Sequence, residues 1–252
     1  MRKVWPEKSY RFQQKFNHDR DPLNANLFQT LMKRLLITID GPSGAGKTTV
    51  SRILADRLGY RYIDTGALYR GVALAAISSG LNPDDDNGLE KLCNMLKISF
   101  VLEKKGLRLM LNDSDITDQI RTPEITMFAS AVSARPVVRN FLLSLQRDLG
   151  REKGVVFEGR DMGTVVFPGA DVKFFLDASP KIRAIRRYNE LKSINPQPLE
   201  AVERDMGRRD KNDSTRDLAP LKPAEDAIRI DSTDLSIETV VERMVTIVGN
   251  LT

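Results

Sequence analysis

A lysine and a threonine closing a glycine-rich run are the residue types that grip a polyphosphate. Gly41-Pro42-Ser43-Gly44-Ala45-Gly46-Lys47-Thr48 has the spacing for it, G-x-x-x-x-G-K-[ST]. Glycines let the backbone curl so that several N–H groups converge on phosphate oxygens, Lys47 reaches the β- and γ-phosphates, and a hydroxyl just after it meets a magnesium ion. The run implies a nucleoside triphosphate and leaves open what becomes of the γ-phosphate.

Arginines supply the next candidate chemistry. Arg70, Arg139, Arg160, Arg209 and Arg216 come from five separate segments, and each alone reads as an ordinary surface arginine. Two of them sit in telling neighbourhoods. Asp64-Thr65-Gly66-Ala67-Leu68-Tyr69-Arg70 and Glu158-Gly159-Arg160-Asp161-Met162-Gly163-Thr164 each begin where an apolar run ends. Arginines gathered beside a triphosphate site imply a second phosphate-bearing ligand.

The elements that must position these residues follow from periodicity. Five short apolar runs, 35–40, 62–64, 155–158, 173–177 and 227–231, read as strands of one parallel sheet with helical patterns between them. Val50, Ile53, Leu54 and Leu58 recur at helical spacing, so the phosphate loop joins a strand to a helix N-terminus, where free N–H groups and the helix dipole attract anions. Ligands of such sheets bind outside the carboxyl ends of the strands, which aims both arginine loops at the phosphate loop. The expected fold class is α/β, a P-loop NTPase-type doubly wound five-stranded parallel sheet. Two stretches interrupt its rhythm. Residues about 66–150 hold a hairpin turning at 104–106 and two helical patterns broken by Pro136, and read as an inserted subdomain. Residues about 183–216, dense in charge around a weakly apolar 191–198, read as a mobile charged flap.

Composition removes several function classes. The chain has one cysteine, Cys93, and one histidine, His18, so neither an intrachain disulfide nor a Cys/His metal cluster can form, and a histidine triad is not expected. Cys93 reads as a small buried hydrophobe in a reducing compartment. No apolar run is long enough to span a membrane. The net charge of +5 lies wholly in residues 1–34, which carry eight basic and three acidic residues; the remainder holds 31 of each sign. That balance argues against a nucleic-acid partner.

Residues 1–33 have no clean period and read as a poorly ordered extension ahead of a domain over 34–252. Met32 stands just before the first strand, so residues 1–31 are either an upstream-start or appended segment or a genuine basic arm. The first is the expectation.

Gly41–Thr49, Asp64–Arg70, Gly159–Pro168, Phe174–Ala178 and Arg209–Leu221 together closely resemble bacterial cytidylate kinase, in the same order, from about residue 35 to 251. The resemblance implies transfer of the γ-phosphate of ATP to CMP or dCMP with Mg2+, by a core with a nucleoside-monophosphate-binding insertion and a helical lid. Gly41, Pro42, Ser43, Gly44, Ala45, Gly46, Lys47, Thr48 and Thr49 would then hold ATP. It implies that Thr65 and Asp213 touch the acceptor ribose, that Ser130, Arg139 and Asp161 read the cytosine, and that Tyr69 lies beside that pocket. Arg70, Arg160 and Arg216 would grip the acceptor phosphate and Arg209 would join the lid cluster, with Lys47, Arg160, Arg209 and Arg216 as the catalytic set. Two positions depart from the family. Glu158 stands where aspartate is common, and Thr48 where many members have glycine, which leaves either Thr48 or Thr49 to serve magnesium. A cytoplasmic monomer without membrane or nucleic-acid partners is implied.

Other readings share parts of this pattern. A different P-loop kinase, acting on UMP, AMP or shikimate, would share the core but not need Ser130, Arg139 and Asp161 together. A regulatory GTPase or DNA-associated ATPase would need an Asn-Lys-x-Asp run, which the chain lacks; Asp85-Asp86-Asn87-Gly88 fits D-x-x-G but lies in an acidic turn. A pure binding module would not need arginines from a flap and two strand ends. A protein starting at Met32 is expected to retain its kinase activity, measured by steady-state kinetics beside the full chain; loss of that activity would make the extension a functional arm.

Overall fold

The computed structural model describes residues 34–103, 106–192 and 196–251. The 1–33 extension, residues 104–105 of the hairpin turn and 193–195 of the weakly apolar stretch lie outside the described residues.

The chain opens with β1 (Leu36–Asp40), followed by the phosphate loop and α1 (Lys47–Leu58). β2 (Arg61–Asp64) and α2 (Thr65–Ser78) come next. Then follow α3 (Asp86–Met95), a hairpin of β3 (Ile98–Glu103) and β4 (Gly106–Leu111), the short β5 (Ser114–Asp115), α4 (Pro123–Val132) and α5 (Pro136–Gly150). The main sheet resumes with β6 (Val155–Gly159), a single wide π-type turn over Met162–Val166, and β7 (Val172–Asp177). Helices α6 (Pro180–Leu191) and α7 (Leu199–Thr215) precede β8 (Ile228–Asp231) and α8 (Ile237–Gly249).

Among the described residues the main sheet is parallel, with order β2-β6-β1-β7-β8. The expected doubly wound α/β class is therefore correct. β1 lies at the centre, and every one of its residues is buried because helices cover both faces. Ile37 and Ile39 pack with Val50 and Leu54 of α1 and with Val240, Val241 and Met244 of α8. Leu36 turns to the opposite face, among Phe157, Val166 and Phe167. The alternation is the period-2 geometry of a strand.

The segment between β2 and β6 has its own apolar centre. Leu68 and Val72 of α2, Leu89 of α3, Leu109 of β4 and Val138 and Leu142 of α5 close on one another. β3 and β4 pair antiparallel with Ile98 opposite Leu111. Side-chain caps set the helix starts: Asp64 accepts the Ala67 N–H, Asp85 the Gly88 N–H and Thr122 the Ile125 N–H.

The stretch 183–216, read as a mobile charged flap and by resemblance as a helical lid, is built of two helices among the described residues. Ser179 caps α6 with Pro180 in its first turn, and Ala184 packs against Val202 and Met206 of α7 with Tyr188, Leu191 and Leu199 around them. Val202 and Met206 stand four residues apart, one face of a helix, and the charges between them hide that period in the sequence. No helix among the described residues is long and apolar enough to cross a membrane.

Strand register delivers the chemistry to one edge. Asp40 lies opposite Gly159 on one side and Phe175 on the other, and Asp64 lies opposite Glu158. The phosphate loop, Thr65, Arg160 and Asp161 therefore leave the sheet side by side.

Candidate active site

The phosphate loop needs two glycines for steric reasons. A Cβ on Gly41 (φ +151°) would lie 1.9 Å from the Leu176 carbonyl oxygen. One on Gly44 (φ +75°) would lie 2.7 Å from the Arg183 carbonyl oxygen and 2.8 Å from Met206 Cε. No side chain of Gly46 caps α1, so the first N–H groups of that helix remain directed at the loop's own hollow. Ala45 is buried, and Pro42 offers its carbonyl to Lys47 Nζ at 2.6 Å. Lys47 is only 5% exposed. Burial, with the Arg160 and Arg209 guanidinium groups nearby, lowers its pKa from 10.5 to about 7. The Glu158 and Asp213 carboxylates oppose that lowering only in part.

Arg209 is held in the same way. Its Nη1 donates to Ser43 Oγ at 3.2 Å, and its Nε is buried without a partner among the described residues. Burial, then Arg160, brings its pKa down to about 10. Arg160 donates Nε to Asp213 Oδ2 at 2.9 Å and Nη1 to the Gly159 carbonyl at 3.2 Å. Glu158 is buried beneath these cations. Thr48 Oγ1 donates to its Oε1 at 2.7 Å and Tyr62 OH to its Oε2 at 2.5 Å. Burial, then the Asp64 carboxylate, raises its pKa, against the pull of Lys47. Thr49 is exposed.

The second group gathers around Asp161, 2% exposed. Arg139 donates Nη2 to Asp161 Oδ2 and Nη1 to the Ser133 carbonyl, the latter at 3.1 Å. Its guanidinium carbon lies 5.9 Å from the centre of the Tyr69 ring, a cation–π contact. Arg216 reaches from the end of α7, donating Nη1 to Ser133 Oγ at 3.0 Å with Nη2 3.5 Å from Asp161 Oδ1. Ser130 Oγ is buried and has no partner among the described residues.

Thr65 and Arg70 are tied into the scaffold. Thr65 Oγ1 donates to the Glu158 carbonyl at 2.7 Å, and Arg70 Nη2 to Asp64 Oδ2 at 2.6 Å. Burial alone would raise the Asp64 pKa, but Arg70 and the Ala67 N–H outweigh it and hold it low. Arg70 is close enough to Arg209 to add to the lowering of that guanidinium. The predicted residues thus fall into two adjoining clusters. Lys47, Ser43, Thr48, Arg160, Arg209 and Asp213 surround the phosphate loop. Ser130, Tyr69, Arg139, Asp161 and Arg216 form the second.

Sequence reasoning missed Arg183 and Asp40. Arg183, 6% exposed, donates Nε to the Ala178 carbonyl at 2.9 Å and Nη1 to the Ser43 carbonyl at 3.1 Å, and pairs with Asp210 of α7. Nothing in the sequence separates it from Lys181, Arg186 and Arg187 beside it. Asp40 accepts the N–H groups of Met162 and Gly163 at 2.9 and 2.7 Å. A lone acidic residue closing an apolar strand was the available signal. No group of three His, Cys, Asp or Glu side chains among the described residues could hold a metal ion by itself.

Chemically the arrangement suits phosphate-bearing ligands, with cations gathered in one cluster and paired donor and acceptor groups in the other. A family profile described as cytidylate kinase matches residues 37–250. A protein named cytidylate kinase from Geobacter sulfurreducens is 55% identical over 215 residues, 85% of this chain and 92% of its own length. Proteins of the same name from Geobacter sp. strain M21 and Syntrophotalea carbinolica are each 50% identical, covering 83% and 86% of this chain and 91% and 93% of their own.

Gly44→Ala is expected to weaken triphosphate binding about tenfold or more, since a non-glycine residue in the left-handed region costs about 1–3 kcal/mol even before the contact with Arg183. Equilibrium titration with ATP checks it.

Proposed function

The chain belongs to the cytidylate kinase family, and from that premise we propose how its residues divide the labour. The enzyme transfers the γ-phosphate of ATP to CMP or dCMP, giving CDP or dCDP. In our reading Lys47 and the loop from Gly41 to Thr49 hold ATP. Arg70, Arg160 and Arg216 take the acceptor phosphate, Thr65 and Asp213 the ribose, and Ser130, Arg139 and Asp161 the base with Tyr69 beside them. The observation that carries this reading is the pairing of Arg139 with Asp161. A guanidinium and a carboxylate side by side present donors and an acceptor together. Cytosine offers the complement, acceptors at O2 and N3 and a donor at N4; uracil offers an acceptor at its position 4 and a donor at N3, and meets like against like.

Phosphoryl transfer asks little of a general base. It asks for alignment of the two nucleotides and compensation of charge spreading over the transferred oxygens. Lys47, Arg160 and Arg209 are our candidates for the compensation, with Arg216 entering from the lid. Because α7 carries Met206, Arg209 and Asp213 and ends just before Arg216, its movement over the cleft would exclude water as it completes the cationic set.

Magnesium fits the oxygen chemistry of this site. Thr48 gives its hydroxyl proton to Glu158, which leaves the hydroxyl lone pairs for a hard cation, whereas Thr49 is exposed. When bound with ATP the ion would neutralise β- and γ-phosphate charge, and Thr48 would hold it with Glu158 fixing the hydroxyl. We also propose a cytoplasmic monomer acting on free nucleotides; the balanced charge of residues 35–252 supports the free-nucleotide part of this reading.

A coupled assay over CMP, dCMP, UMP and AMP tests the reading; turnover of UMP or AMP equal to CMP would refute its specificity. Arg139→Met is expected to raise the KM for CMP roughly tenfold to a hundredfold with the KM for ATP little changed, since a buried charged hydrogen-bonding group is removed from the base side alone. Steady-state kinetics with each substrate varied checks it.

A further inference from the structure

The last residue of the central strand joins the two halves of the cleft. Asp40 is 4% exposed and directly precedes Gly41, the first residue of the phosphate loop. Its carboxylate does not face that loop. Oδ1 accepts the Met162 N–H at 2.9 Å and Oδ2 accepts the Gly163 N–H at 2.7 Å. Those two N–H groups open the wide turn that follows Asp161, at the point where the chain has left β6 and doubles back. Burial raises the Asp40 pKa to about 6, and the two N–H groups oppose that rise. The surroundings leave no slack. A Cβ on Gly163 would lie 3.1 Å from Thr38 Oγ1, 3.2 Å from Lys173 Cδ and 3.4 Å from Asp40 Oδ2.

We infer that Asp40 is a positioning residue that sets the base-reading loop against the phosphate loop, so that the accepting phosphate oxygen meets the γ-phosphate in line. The inference rests on the cytidylate kinase reading above. One carboxylate spans the two: by covalent continuity it fixes where Gly41 begins, and by two hydrogen bonds it fixes the backbone immediately after Arg160 and Asp161. Asp161 is held from the other side by Arg139 and Arg216. The loop is therefore clamped between a backbone clamp below and the substrate-facing arginines above. Asp40 touches neither nucleotide, and its effect passes through the placement of Arg160 and Asp161. An error of about an ångström in such placement costs on the order of a hundredfold in rate.

The test uses the full chain with two independent variants. Asp40→Asn removes one of the two acceptor oxygens, and Gly163→Ala leaves Asp40 intact but crowds Thr38 and Lys173 beside the turn, so that the turn must shift. Each is measured for kcat and KM with CMP, for ADP affinity by equilibrium titration, and for ATP hydrolysis without CMP. The expected result is a fall in kcat/KM for CMP of roughly tenfold to a hundredfold in both, with ADP affinity within about twofold of the wild type. Hydrolysis of ATP to water should persist, so the ratio of hydrolysis to transfer rises. A merely structural role would lower ADP affinity, hydrolysis and transfer together, and that outcome overturns the inference, as does unchanged kcat/KM in either variant. A wild-type enzyme inactive on CMP would instead overturn the functional reading on which the inference rests.

Discussion

The cleft concentrates positive charge where water is scarce. Lys47 is buried beside the half-buried Arg160 and Arg209; both arginines disfavour the charge on Lys47, and Arg160 disfavours that on Arg209. Like charges in a low-dielectric pocket repel strongly, and removal from water adds to the cost. The protein offsets part of this with carboxylates set just behind the cations. Asp213 holds Arg160, Glu158 lies near Lys47, and Asp210 holds Arg183. The remainder is left for ligand phosphates to supply. A site built this way would favour an anion-bound state, because an anion would remove repulsion among the cations.

The sheet makes that concentration affordable. Charged side chains can be brought together only if their backbones are rigid, and the parallel ladder fixes Asp40, Asp64, Glu158 and Gly159 at neighbouring positions on one edge. Helix α7 then contributes further cations beside them. Its contacts with the phosphate loop run through Arg209 to Ser43 and through Arg183 of α6 to the Ser43 carbonyl. The same loop residue receives one contact from each of α6 and α7.

Much of the fold was legible because its signals are local. Buried strands of a doubly wound sheet are short apolar runs, and the phosphate loop carries its own spacing. The strand order was not legible, since periodicity says which residues face inward and not which strand lies beside which. Within the site, motif residues such as Arg139 and Asp161 could be named from the resemblance. Their direct pairing, and the arrival of Arg216 at the same carboxylate, depend on how α5 and α7 converge on the turn after β6. A helical lid could be named from the resemblance, but its packing was obscured because a two-residue apolar seam, Val202 and Met206, is too thin to register among so many charges. Thr48 and Glu158 lie 110 positions apart; only the folded chain reveals that the two touch.

Strand order also governs how the protein comes into being at the ribosome. β1 is made first, yet it is the middle of the sheet, and both its partners come from beyond residue 154. At translation speeds of about 5–20 residues per second, the nascent β1 waits on the order of ten seconds before β7 emerges to complete its pairing. Throughout that interval Leu36, Ile37 and Ile39 belong to an unpaired apolar strand, the kind of segment that chaperones recognise and that aggregates when it goes unprotected. The segment between β2 and β6, with an apolar centre of its own, is synthesised during the wait and can collapse first. The phosphate loop, first of the catalytic parts to be encoded, is thus among the last to acquire its shape.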